Sequence, residues 1–274
     1  MIIDCHCHVG KGDGLTGPWD TSALLDKYLP RADRAGIHRT VLFSLFHSDY
    51  TSANHQVADI VRRKPERFVG FACLHPERDR GRIFPMLKTA VQQYGFRGVK
   101  VHKHDGRMTR EICEVLRAFA LPVVYDVMGE VSQVELLATE YPDVSFIIPH
   151  LGSFSDDWRA HKALIALMER YPNVYADTSG VRRFDLLEEA VARTGAEKIL
   201  FGSDGPWLHP GIELVKVLAL GLSQEELQLI VGRNLQRLIA GVKKIPVSRG
   251  SASTGRPSAY RKEYLDSWQG RQLP

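Results

Sequence analysis

Two histidines stand two residues apart near the start of the chain, in Met1-Ile2-Ile3-Asp4-Cys5-His6-Cys7-His8. An apolar opening followed by alternation is the pattern of a strand, whose successive side chains point to opposite faces. Asp4, His6 and His8 then share one face, and Cys5 and Cys7 share the other. Paired neutral imidazoles at a strand end can be aimed at one cation such as zinc, iron or manganese. Alone, such a pair is a weak signal. It gains weight from Asp204, in Phe201-Gly202-Ser203-Asp204-Gly205-Pro206, which follows another apolar run far along the chain.

Other chemistry-bearing residues follow the same rule of position. His75, Lys100, His102, His104, Asp126, His150 and Asp177 each close or follow a short apolar run. Each also has an ordinary reading. The histidines could be core or loop residues, Lys100 a buried ion-pair partner, Asp177 a support for a neighbour and Asp204 a helix cap. Polar side chains recurring at so many strand ends are hard to explain by packing alone.

The elements that must hold these residues are legible in outline. Candidate strands run Ile2 to Cys7, Thr40 to Ser44, Phe68 to Leu74, Gly98 to His102, Pro122 to Asp126, Val144 to Pro149, Val174 to Asp177 and Lys198 to Gly202. Amphipathic stretches separate them: Thr21 to Ala35, Ala53 to Lys64, Ile83 to Tyr94, Arg110 to Phe119, Ser132 to Tyr141, Trp158 to Tyr171 and Phe184 to Arg193, with Ile212 to Leu220 and Gln224 to Ala240 last. Ser223 with Glu226 three residues on is a capping box. Gly36, Gly95 and Gly195 fall where helices should stop, and Pro65, Pro142 and Pro172 block continuation. Near-continuous apolar strands alternating with helices predict a parallel sheet, and this many units in 274 residues fit an α/β fold of the (β/α)8 TIM-barrel type, whose chemistry sits at the C-terminal strand ends. A doubly wound sheet would want a glycine-rich phosphate loop followed directly by a helix. Gly10-Lys11-Gly12-Asp13-Gly14 follows His8 without that helix and reads as a loop.

Bulk properties narrow the class. A formal net charge of +4, partly carried by the C-terminal tail, gives no case for a nucleic-acid partner. No apolar run is long enough to span a bilayer, and no signal peptide is recognisable. Four cysteines at positions 5, 7, 73 and 113 do not form a disulfide pattern, so a reducing cytoplasm is expected. From about Pro246 the chain turns small and polar, through Ser248-Arg249-Gly250-Ser251-Ala252-Ser253. The expected organisation is a barrel over 1–241 and a C-terminal tail over 242–274, flexible or docking. A docking tail would suit a homodimer.

The motifs Ile3-Asp4-Cys5-His6-Cys7-His8, Gly98-Val99-Lys100-Val101-His102, Ile148-Pro149-His150-Leu151-Gly152, Tyr175-Ala176-Asp177-Thr178-Ser179 and Leu200-Phe201-Gly202-Ser203-Asp204 are, in order and spacing, similar to the amidohydrolase-related family. The likeness is to its aminocarboxymuconate-semialdehyde decarboxylase-like branch. It covers about residues 1–241, including the last helix through Gly232-Arg233-Asn234-Leu235. The resemblance implies a distorted barrel with one divalent metal ion, often zinc, with manganese or iron as alternatives. It implies His6, His8 and Asp204 as metal ligands, and Asp204 and His150 as the groups that move the proton of water. It departs from the family at the fifth strand, where a metal-binding histidine is common and Asp126 stands here. Asp126 or His102 would then complete the site. In the wider superfamily a fourth-strand lysine is sometimes carboxylated to bridge metals, and Lys100 lies in that strand.

Such a site suits hydrolysis of an amide or lactone, or decarboxylation, of a small-molecule substrate. Lys100, Lys103, Arg107, Arg182 and Arg183 are candidate contacts to a substrate carboxylate. Trp19, Trp158 and Trp207 are candidates for an apolar wall. A metal-free lactonase, or a binding barrel without catalysis, is the competing expectation.

Overall fold

The computed structural model describes residues 1–13, 22–154 and 157–243. Trp19 and residues 244–274 of the expected tail lie outside the described residues. Eight strands form one parallel sheet in chain order: β1 (Ile2–Val9), β2 (Ile37–Ser44), β3 (Phe68–Cys73), β4 (Gly98–His102), β5 (Val123–Asp126), β6 (Phe146–Ile148), β7 (Val174–Asp177) and β8 (Ile199–Leu200). The ring closes between the last strand and the first. Cys5 N donates to Phe201 O at 2.9 Å, His8 N donates to Gly205 O at 2.7 Å, and Cys7 and Gly205 form a parallel bridge. The barrel expected from the strand–helix alternation is therefore present, and its distortion lies in the very short β6 and β8.

Helices follow the strands: α1 (Leu25–Arg34), α2 (Tyr50–Arg63), α3 (Ile83–Gln92), α4 (Arg110–Phe119), α5 (Ser132–Glu140), α6 (Trp158–Arg170), α7 (Phe184–Thr194) and α8 (Pro210–Leu218). None of the described helices is long and apolar enough to cross a membrane. Asp49, Thr109 and Asp157 accept backbone N–H groups at the starts of α2, α4 and α6. The Ser223–Glu226 capping box opens α9 (Gln224–Gln228). The long last helix expected from the sequence is broken by a π-helical turn at Leu229–Arg233 before α10 (Asn234–Ala240). There Gly232 lies against the Met1 carbonyl, with no room for a Cβ. Ile230 O accepts from Phe201 N, and the buried Asn234 amide donates to Ala196 O and Ile199 O. These bonds fix the C-terminal helices to β8 and so to the strand end that carries Asp204.

The core is a cluster of Ile3, Cys5, Val41, Phe43, Val69, Phe71, Val124, Ile147 and Leu200 with Tyr50 and Ala53 of α2 and Leu235 of α10. A Cβ at Gly98 would run into the Phe71 ring, so glycine at the start of β4 lets that ring fill the barrel bottom. All four cysteines are free and buried.

Candidate active site

The C-terminal strand ends enclose a cavity of about 570 Å³. His6 and His8 of β1, Lys100 and His102 of β4, Asp126 of β5, and His150, Asp204 and Trp207 from the later loops all line it. Leu45, Phe46, Met128, Ser153 and Phe154 complete its walls.

β1 aims its two imidazoles at one point. The Nδ1–H of His6 donates to Asp177 Oδ2 at 2.8 Å, and His8 Nδ1 lies 3.3 Å from Ser44 O. With Nδ1 committed in each ring, both Nε2 atoms are left facing Asp204. Asp204 Oδ1 lies 3.3 Å from His6 Nε2 and 3.4 Å from His8 Nε2. His6 Nε2 is nevertheless buried without a hydrogen-bond partner among the described residues. One donor atom from each of the three side chains lies within 4.8 Å of the others. Two imidazole nitrogens and a carboxylate oxygen, one of them an orphaned buried acceptor, fit a divalent ion of the Zn, Mn or Fe kind.

The supports of this corner are buried too. Asp177 Oδ1 accepts from the backbone N–H of His150 and Ser179 and from the Ser179 hydroxyl. Burial raises the Asp177 carboxyl, but His6 and these donors outweigh it and hold it at about 2. Gly202 passes so close to His6 and Asp177 that a Cβ there would crowd both. Asp4 accepts from Tyr28 OH, Ser203 N, Ser203 Oγ and His6 N, tying β1 to β8 and α1, and burial pushes it up to about 6 against those donors. Burial and Lys100 push His6 down, yet Asp177 and Asp204 outweigh them and lift it to about 9. Burial drives His8 down to about 4 despite Asp204. Burial also opposes ionisation of Asp204, and the two histidines overcome it, holding the carboxylate well below its usual range.

The opposite corner behaves differently. His102 Nε2 lies 3.1 Å from Asp126 Oδ2, and His102 Nδ1 accepts from His104 N, so Nε2–H donates to the carboxylate. Asp126 Oδ1 accepts from Met128 N. Burial raises Asp126, but His102, Lys100 and His150 outweigh it and keep it well below the usual carboxylate range. Asp126 and His102 are therefore absent from the group of converging donors. The carboxylate expected to complete the ligand set is instead spent on its neighbour. His150 stands between the corners. Its Nδ1 lies 2.8 Å from Ser179 O, its ring centroid 5.1 Å from that of His6, and its Nε2 3.7 Å from Asp126 Oδ2. Nδ1–H donates to the carbonyl, leaving the Nε2 lone pair toward the cavity.

Among the candidate substrate contacts, Lys100 and Trp207 line the cavity, and Trp207 meets His8 edge-on at 4.8 Å. Lys103 and Arg107 pair instead with Glu130, and Arg183 with Asp185. Neither they nor Arg182 line the cavity. Trp158 sits exposed on α6 and forms no wall. His75 caps its own loop, its Nδ1 accepting from Glu77 N and Arg78 N. The walls that sequence reasoning missed, Phe46, Met128 and Phe154, all lie just past strand ends, where one apolar residue resembles any other loop residue. Backbone conformation marks the site as well. Met128, His150 and Asp204 have φ of 49°, 57° and 54°, sparsely populated for residues other than glycine.

Comparison with known proteins agrees with the motifs. Residues 3–239 match the family described as Amidohydrolase. No curated protein matches the chain. Solved structures share the fold at low identity. The 5-carboxyvanillate decarboxylase of Sphingomonas paucimobilis superposes with a TM-score of 0.69 at 13% identity, over 88% of this chain and 99% of that one. The 4-oxalomesaconate hydratase of Rhodopseudomonas palustris gives 0.67 at 18%, over 88% and 96%. The dihydroxybenzoic acid decarboxylase of Polaromonas sp. JS666, with bound manganese and the inhibitor 2-nitroresorcinol, gives 0.63 at 17%, over 87% and 96%.

Proposed function

The chain belongs to the amidohydrolase family, and from that premise we propose that it is a metal-dependent hydrolase of a small, flat, carboxylate-bearing compound, opening an amide or lactone bond. The observation that carries this reading is the convergence of His6 Nε2, His8 Nε2 and Asp204 Oδ1 beside the free Nε2 of His150. His6, His8 and Asp204 would hold the ion, which supplies Lewis-acid polarisation of a carbonyl and lowers the pKa of water.

The remaining work falls to the chain. Asp177 and the Ser44 carbonyl hold the two imidazoles in the tautomer that leaves Nε2 unprotonated. His150 Nε2 would take a proton from the attacking water and, once protonated, return that same proton to the leaving atom, with the Asp204 carboxylate steadying the charge beside it. Phe46, Phe154 and Trp207 exclude bulk water and offer flat faces to a planar substrate. Those same faces favour a second reading, non-oxidative decarboxylation of an unsaturated or aromatic acid. Decarboxylases and a hydratase are among the structures that share this fold.

A screen of lactones, amides and unsaturated acids, recording hydrolytic product and carbon dioxide on the same samples, separates the two. Hydrolytic product lost in His150→Ala through kcat rather than KM supports the proposal. Carbon dioxide without hydrolytic product replaces it with the decarboxylase reading. No turnover of any compound by metal-loaded protein contradicts both.

A further inference from the structure

Lys100 is 4% exposed, yet among the described residues no carboxylate forms an ion pair with it. Its Nζ lies 5.1 Å from the Phe43 ring centroid. Asp126 feels its charge, but the Asp126 oxygens are engaged by His102 and Met128 N. A buried ammonium without a counter-ion is costly, and proteins keep one where an anion comes to meet it.

A second observation lies behind it. A side chamber of about 20 Å³ adjoins the main cavity, with His8, Leu45, Phe46, Lys100 and His102 common to both. Ser44 lines this chamber. It is 6% exposed, and its hydroxyl meets only the weakly bonding Cys73 thiol, with no nitrogen or oxygen partner among the described residues. Tyr50 and Asp105 also line it, and the Asp105 carboxylate is engaged by the Tyr50 hydroxyl rather than by Lys100. A space of this size takes one water-sized atom. A water would satisfy Ser44 and leave the lysine charge unanswered. A carboxylate is the smallest anionic group that can put one oxygen there and stay coplanar with a flat body in the main cavity.

We propose that Lys100 and Ser44 form the subsite for a substrate carboxylate, one oxygen entering the side chamber to accept from Nζ and Oγ while the flat body of the molecule stays in the main cavity. This rests on the reading of the main cavity as the substrate site and on no particular reaction there.

Calorimetry on the full chain with benzoate, benzamide and inorganic phosphate as probes tests it, on wild type, Lys100→Met and Ser44→Ala. Benzoate should bind about tenfold tighter than benzamide, and phosphate weakest. Lys100→Met should erase the preference by lowering benzoate affinity about tenfold, and Ser44→Ala should lower it by about threefold. Lys100→Met should keep its metal and melt no lower than wild type, since a neutral chain replaces an unpaired charge. Benzoate binding unchanged in Lys100→Met, no preference over benzamide in wild type, tighter binding of phosphate, or unfolding of Lys100→Met would each overturn the proposal. Turnover and metal content measured on the same samples keep its failure distinct from failure of the proposed reaction. Loss of benzoate preference without any turnover leaves the subsite standing and the reaction refuted.

Discussion

The mouth of the barrel has two corners made of the same residue types, and they end in different states. Where β1 meets β8, the outer nitrogens of His6 and His8 are taken by Asp177 and a carbonyl, and their inner nitrogens are left facing Asp204. Where β4 meets β5, His102 turns its donor onto Asp126, and each answers the other. Both corners hold histidine and aspartate at strand ends, yet only the first turns two ring nitrogens and a carboxylate oxygen toward one point. What such a corner can offer an ion is thus decided by what the far side of each ring is bonded to, and strand position alone does not decide it.

Removing the first corner should have the largest effect. The double substitution His6→Ala/His8→Ala should lower bound metal by at least about tenfold and abolish turnover, as read by elemental analysis and assay. Equal metal in variant and wild type would break the comparison. The second corner should behave otherwise. Asp126→Asn should keep metal within about twofold of wild type while lowering kcat/KM by about tenfold, because the cavity loses a buried charge rather than a ligand. Metal loss matching that of the double variant would merge the two corners into one.

Acidity sharpens the contrast within the first corner. Folding lifts His6 from 6.5 to about 9, so the folded chain holds a proton that the unfolded chain has shed. That contribution is fully present below pH 6.5 and lost as pH rises through 9. Folding lowers His8 from 6.5 to about 4, so its contribution is present above 6.5 and lost as pH falls through 4. In urea unfolding of the metal-free protein the His6 and His8 contributions should together be greatest near pH 6.5, and His6→Gln should flatten the alkaline side. Metal affinity should rise by about tenfold per pH unit up to about pH 9, because binding must displace the His6 proton.

Much of this was legible in the chain. The period-2 alternation of β1 placed His6 and His8 on one face, and β4 and β7 span the residues that their apolar runs suggested. Helix ends at Gly36 and Gly95, both with φ of 71°, follow from the residue type. The fate of Asp126 was not legible, because it depends on the rotamer of a side chain in the neighbouring strand. The cationic loops are hard to read for a similar reason. Lys103 and Arg107 find Glu130, and Arg183 finds Asp185, contacts that charge counting leaves out.

The smallest effect belongs there. Arg107→Ala and Arg183→Ala should change KM by no more than about twofold, since exposed pairs contribute little and neither residue faces the cavity. A large rise in KM for either would extend the substrate site beyond the two corners.

The most direct test is a crystal structure of the manganese-loaded full chain with anomalous density at the barrel mouth. The account predicts one ion on His6 Nε2, His8 Nε2 and Asp204, with Asp126 still paired to His102. An ion coordinated by Asp126 or His102 would contradict it.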